Sequence, residues 1–166
     1  PSLVGSEMCI RDRVFGGAKI ETKLPAIKRF LEIADFVLVG GKIAFEIDFS
    51  HPKLVLPLDY KGEKFDIGEK TIKKFKKIIK KAKTIIWNGP LGFFEKKEFE
   101  KGTKEIAKAI ADSKAFSVAG GGETLMAIFS YKLEKKFSFL STGGGAMLDF
   151  LAGKEMPGLT PLFEEN

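Results

Sequence analysis

The chain has 166 residues, 44% hydrophobic and 30% charged, with a formal net charge of +6. That length fits one domain of about 100 to 200 residues, and the composition excludes a disordered or fibrous chain. No apolar run reaches the roughly 18 residues of a membrane-spanning helix, and one Cys with one His excludes an internal disulfide and a His/Cys zinc site.

In chain order, short apolar runs ending in glycine clusters alternate with amphipathic stretches. Val14 and Phe15 form a truncated strand ending at Gly16-Gly17, and Leu24, Ile27, Phe30 and Leu31 predict a helix over 24–33. A strand over 36–39 ends at Gly40-Gly41, followed by a helix near 43–47 and a strand over 53–57. Residues 68–83 predict a helix with Ile72, Phe75, Ile79 and Ala82 on one face and lysines on the other. The β-branched strand 84–87 is closed by Asn88-Gly89-Pro90, and a helix covers 102–111. Strand 115–119, Gly120-Gly121-Gly122, a helix over 123–131, strand 137–140, and Gly143-Gly144-Gly145 opening a helix to Leu151 complete the pattern. This βα alternation predicts an α/β fold with a parallel sheet.

Residues 61–83 carry ten Lys against Glu63, Asp66 and Glu69, so a local +7 accounts for the net charge and leaves about −1 elsewhere. Only Arg11, Arg13 and Arg29 are arginines, whereas base readout favours Arg. The basic stretch therefore reads as a solvated helix face, with no nucleic acid and no membrane among the expected partners. No secretion signal is apparent, which makes the cytoplasm the expectation. His51 has no carboxylate or nucleophile at recognisable spacing and reads as a loop residue; Cys9 is not a nucleophile candidate.

Ten of the 18 glycines follow predicted strands, at the carboxyl edge of the sheet. Ligands of open α/β sheets bind there, where glycine permits close backbone approach and helix N-termini present free N–H groups to an anion. Phosphate is the natural ligand. The loops contain neither GxxxxGK[ST] nor GxGxxG, so a P-loop and a dinucleotide fingerprint are absent. Lys19 and Lys23 stand four apart at a helix entrance, where cations oppose the helix dipole unless an anion lies between them. Two solvated surface lysines remain the alternative.

Gly16-Gly17-Ala18-Lys19, the 84–95 stretch with its Trp-Asn-Gly-Pro core, Gly120-Gly121-Gly122-Glu123-Thr124, and Ser141-Thr142-Gly143-Gly144-Gly145-Ala146 closely resemble phosphoglycerate kinase in motif order. The resemblance covers about residues 14–162 and implies the C-terminal, nucleotide-binding domain, a Rossmann-like parallel sheet with helices on both faces. It implies ATP/ADP and Mg²⁺ as cofactors, in a glycolytic phosphotransferase acting between 1,3-bisphosphoglycerate and Mg-ADP. Lys19 would stabilise the phosphoryl group in flight, and Gly144 and Gly145 would orient it. Lys23, Gly120, Gly121, Gly122 and Thr124 would meet the nucleotide phosphates. Gly40, Gly41, Asn88 and Pro90 would shape the adenine site, Glu95 would hold the ribose, and Glu123 would ligate the metal.

The chain departs from the family pattern at Glu123, where Asp is usual, and at Thr22, where Asp often precedes the second lysine. The family's N-terminal substrate domain has no counterpart, so 3-phosphoglycerate or 1,3-bisphosphoglycerate would bind only with that missing domain, and this half is expected to be inactive alone and monomeric. Residues 1–13 match nothing in the family and read as a non-native leader, leaving 14–166 as the domain. Two other readings are a stand-alone nucleotide-binding module without catalysis and a lysine-rich nucleic-acid binder.

Overall fold

The computed structural model describes residues 11–156. Strands β1 (Arg11–Phe15), β2 (Phe36–Val39), β3 (Leu54–Val55), β6 (Thr84–Asn88), β7 (Phe116–Gly120) and β8 (Phe139–Ser141) form one sheet in the order β3-β2-β1-β6-β7-β8, and every pairing in it is parallel. A small antiparallel hairpin, β4 (Tyr60–Lys61) and β5 (Asp66–Ile67), stands apart from it. The helices are α1 (Ile20–Ile33), α2 (Glu69–Ile79), α3 (Lys101–Ala111), α4 (Gly122–Ser130) and α5 (Gly144–Leu151).

Strand alternation sorts the core into two layers. Val14, Leu38, Ile85, Trp87 and Ala119 face Phe75 of α2, Ile106 of α3 and Ile128 of α4. Phe15, Val37 and Val39 face Ile27 and Phe30 of α1 and Leu148 of α5. Helices thus cover both sheet faces, the Rossmann-like architecture expected from the motifs. The basic stretch behaves as a surface helix: Thr71, Ile72, Phe75 and Ile79 are buried, and Lys76 pairs with Glu105 of α3 at 2.9 Å.

Three sequence expectations need correction. Helix α1 starts at Ile20 rather than Leu24 and contains Pro25; the missing proline N–H removes a bond only near the helix start, and buried Ile20 anchors the extra turn. The helix expected near 43–47 is a single 3-10 turn, Lys42–Phe45, because Ile43 N–H donates to Gly17 O and ties the chain to the β1 loop. The strand expected over 53–57 pairs only at Leu54 and Val55.

Residues 11–13, set aside as leader, lie in β1 at the centre of the sheet. Asp12 pairs with Phe36 on one side and Ile85 on the other. Asp12 is 0% exposed, neither carboxyl oxygen has a hydrogen-bond partner, and Arg13 Nε is likewise buried without one. Cys9 and residues 157–162 of the motif span lie outside the described residues.

Candidate active site

Strand order reverses between β1 and β6, so their carboxyl ends open a crevice of the kind that binds ligands in such sheets. The Trp87-Asn88-Gly89-Pro90 segment builds it. Buried Trp87 donates its indole N–H to Gly89 O at 2.8 Å, and Asn88 Nδ2 donates to Gly120 O at 2.8 Å. Gly89 N–H donates to Thr124 Oγ1 at 2.8 Å, joining the segment to α4. Gly16 N–H donates to Asn88 O and Gly17 N–H to Pro90 O, joining it to the β1 loop. A Cβ on Gly16 would lie 2.0 Å from Pro90 O, so this approach excludes any side chain.

Two cavities adjoin across this framework. The first, of about 570 Å³, is bounded by Gly41, Phe45, the hairpin residues Glu63, Lys64 and Phe65, Pro90, Phe93 and Glu95. The second, of about 430 Å³, is bounded by Lys19, Lys23, Asn88, Gly121, Gly122, Thr124, Gly144 and Gly145. Ala18 and Glu123 line both and mark the junction.

The second cavity is built for an anion. Helices α1, α4 and α5 begin at its lining, and none has a side-chain cap at its N-terminus. By contrast, α2 borrows Asp59, whose carboxylate accepts from Lys70 and Thr71 N–H, and α3 borrows Asp66, which accepts from Gly102 N–H at 2.7 Å. The first-turn N–H donors of the three cavity helices are left for a ligand. Gly122 and Gly145 have a different significance from the close-packed glycines: a Cβ on either would meet nothing within 4 Å. Neither has positive φ, so within the chain nothing requires glycine there. A side chain at either would extend into open space at the second cavity.

Lys23 Nζ donates to Gly16 O, and a Cβ on Gly17 would lie 2.7 Å from that ammonium and 3.8 Å from Glu123 Oε2. Burial pulls the Lys23 ammonium down to about 8, opposed by the Glu123 carboxylate. Glu123 thus supplies countercharge near Lys23 where Thr22 does not. Exposed Lys19 lines the second cavity as the N-cap of α1. Among the described residues no three His, Cys, Asp or Glu side chains converge as a metal site. A Mg²⁺ needing one or two protein carboxylates, with phosphates and water completing its shell, fits Glu123 at the cavity junction.

The structure brings Lys19, Lys23, Asn88, Gly121, Gly122, Glu123, Thr124, Gly144 and Gly145 to one cavity and Gly41, Pro90 and Glu95 to the other. Gly40 and Gly120 line neither: a Cβ on Gly40 would meet Leu91 at 2.8 Å, and one on Gly120 would meet Met147 at 2.6 Å. They allow close packing behind the lining. Sequence reading missed Lys42, Phe45 and the hairpin residues Glu63, Lys64 and Phe65. The available signal was Gly62 between two short polar-apolar pairs, a weak hairpin mark.

The strand order β3-β2-β1-β6-β7-β8, which is 3-2-1-4-5-6 when the six sheet strands alone are numbered, with glycine-lined helix N-termini around a cavity at its carboxyl edge, defines a Rossmann-like α/β protein. The family model of phosphoglycerate kinase matches residues 55–154. The phosphoglycerate kinase of Buchnera aphidicola subsp. Schizaphis graminum is 40% identical over 198 residues, covering 92% of this chain and 51% of that protein. That of Wigglesworthia glossinidia brevipalpis is 40% identical, covering 90% and 49%. The structure of phosphoglycerate kinase from Coxiella burnetii superposes with a TM-score of 0.87 at 30% identity, covering 96% of this chain and 54% of that one. The Pyrococcus horikoshii OT3 enzyme gives 0.80 at 35%, covering 95% and 53%. The chain belongs to the phosphoglycerate kinase family. It spans about half the length of these relatives.

Proposed function

We propose that this chain is the nucleotide-binding half of a cytoplasmic, monomeric glycolytic phosphoglycerate kinase. In the parent reaction an ADP β-phosphate oxygen bonds to the phosphorus of 1,3-bisphosphoglycerate's acyl phosphate as the bond from phosphorus to the acyl oxygen breaks. ATP and 3-phosphoglycerate result. The observation that carries this reading is the pair of adjoining cavities, one ringed by uncapped helix N-termini and two lysines, the other by aromatic, backbone and charged groups.

The nucleoside takes the first cavity, with Glu95 accepting from ribose hydroxyls, and the phosphates take the second. Lys23 neutralises phosphate charge, and the N–H groups opening α4 and α5 position the phosphate chain. Lys19 stabilises charge on the phosphoryl group as it moves, since phosphoryl transfer depends on positioning and electrostatics. Mg²⁺, held by Glu123, would supply further neutralisation of phosphate oxygens. The acid substrate needs the half that the relatives have beyond this chain, so the chain binds nucleotide without turnover.

Residues 1–13 enter this proposal as a non-native leader. The support is chemical: a central parallel strand, covered on both faces, ordinarily carries apolar residues, whereas Asp12 and Arg13 bury polar atoms without partners. Titration with ADP and Mg²⁺, alongside an assay for 1,3-bisphosphoglycerate-dependent ATP formation, tests the function. Saturable ADP binding without ATP formation is expected. Absence of binding, or substantial turnover by the chain alone, would contradict it.

A further inference from the structure

Helices α2 and α3 pack side by side, yet their charges are arranged differently. Every lysine of α3 has a carboxylate partner: Lys101 pairs with Glu69, Lys104 with Glu100 and Lys108 with Glu105. Among the α2 lysines only Lys76 is paired, with Glu105. Lys70, Lys73, Lys74 and Lys77, and Lys80 at the helix C-cap, form no ion pair among the described residues. The neighbouring acids are already engaged. Asp59 accepts from Lys70 N–H, Thr71 N–H and the Thr71 hydroxyl at the start of α2, while Glu69 and Glu105 hold the pairs above.

At helical spacing these five lysines fall within an arc of about 120°, opposite buried Ile72, Phe75 and Ile79, and run for about 15 Å. Lys80 N–H donates to Lys76 O at 3.0 Å, so helical geometry holds to the end of the stripe. Lys74 is half-buried and the other four are exposed. Like charges three and four residues apart oppose a helix, and 70/73, 70/74, 73/77, 74/77 and 77/80 are all such pairs. A bound polyanion turns that repulsion into attraction.

The stripe is one helix wide, because the paired charges of α3 flank it, and so matches a linear polyanion better than a flat one. It contains no arginine to read a base, and the one aromatic ring of α2, Phe75, is 0% exposed and stacks on nothing outside the core. A chain of phosphates alone meets its chemistry. None of the five lysines lines either cavity.

We propose that Lys70, Lys73, Lys74, Lys77 and Lys80 form a binding site for linear inorganic polyphosphate, separate from the two cavities and independent of the nucleotide reading. Each ammonium donates to oxygens of successive phosphates, and the counterions condensed on the chain are released as it binds.

The test is fluorescence anisotropy of labelled medium-chain polyphosphate with the 166-residue chain, with and without saturating ADP, repeated on the K73Q/K77Q/K80Q variant. Saturable binding is expected, unchanged by ADP, at least tenfold tighter than that of an oligothymidylate of matched charge, and weakened at least tenfold in the variant. The variant should melt at the same temperature as the parent or higher, since it sheds like-charge repulsion. A readout on the parent alone needs no variant: the slope of log affinity against log salt concentration should be about −3.5 for five neutralised phosphates. No saturable binding, displacement by ADP, an oligothymidylate within tenfold, a variant loss below tenfold, or a parent slope shallower than about −2 would overturn the proposal. Displacement by ADP would move the polyphosphate to the second cavity, and tight oligothymidylate binding would make the stripe a nucleic-acid site. If ADP itself fails to bind, the nucleotide reading fails alone, and the variant and the salt slope still decide this one.

Discussion

Gly122 and Gly145 separate a ligand constraint from a folding constraint. Gly16 and Gly144 are hemmed in by backbone, while Gly122 and Gly145 face open space at the first turns of α4 and α5. Alanine at either should leave thermal stability unchanged or slightly higher, because Ala favours helix over Gly by up to about 1 kcal/mol. The same change should weaken ADP binding tenfold or more by placing a methyl group where phosphate approaches the N–H groups. A thermal melt and a titration on one sample check both signs. Lys23 gives a second test at this scale. Its pKa, pulled down to about 8 by burial, means that the free chain loses the ammonium as pH rises through 8. ADP affinity should fall about tenfold per pH unit above that point if phosphate requires the charged form. Lys23→Ala should bind weakly with a flat profile over the same range. For Glu123→Gln, the Mg²⁺ enhancement of ADP binding should largely vanish, with metal-free binding unchanged or stronger. Equal enhancement in parent and variant would remove its metal role.

At the scale of elements, β1 is the weak point of the sheet. Burial, followed by repulsion from Asp35, raises the Asp12 pKa from 3.8 to about 7. A carboxyl group with a raised folded-state pKa contributes full stability below its unfolded value and loses it as pH rises through the folded one. Stability should therefore decline between about pH 4 and pH 7, by on the order of 4 kcal/mol from this group. Asp12→Val should raise the melting temperature at pH 8 and remove most of that slope; an unchanged melt at pH 8 would show that Asp12 is not buried as described. Strands and helices with strong periodicity were legible in the sequence, since β6 and α2 carry their faces openly in residues 84–88 and 69–79. The hairpin was not, because two-residue strands show no alternation. Nor was the true start of α1, because Pro25 imitates a first-turn proline and hides the turn before it. That the residues around the second cavity share one sheet edge was legible through their glycine-rich motifs. Lys42, Phe45, Glu63, Lys64 and Phe65 were not, since non-local packing brings the hairpin to the β2 loop.

On the whole-molecule scale, the two core layers hold the six-stranded sheet, and both cavities open at its carboxyl edge, the first also against the β4–β5 hairpin. The matched relatives are about twice as long. The Buchnera match also extends over 198 residues, more than the 166 of this chain, so that relative carries residues inside the matched span that this chain lacks. The β2 to β3 crossover has only the 3-10 turn where parallel crossovers usually carry a helix. The second cavity is lined from α1, α4 and α5, so the short crossover leaves that lining intact. The most direct measurement is calorimetric titration of Mg-ADP into the chain and into its Lys23→Ala variant at pH 7. One-to-one binding with a Kd below about 1 mM, weakened at least tenfold in the variant, is expected; no saturable heat for the parent chain, or equal affinity in the two, would contradict the nucleotide site.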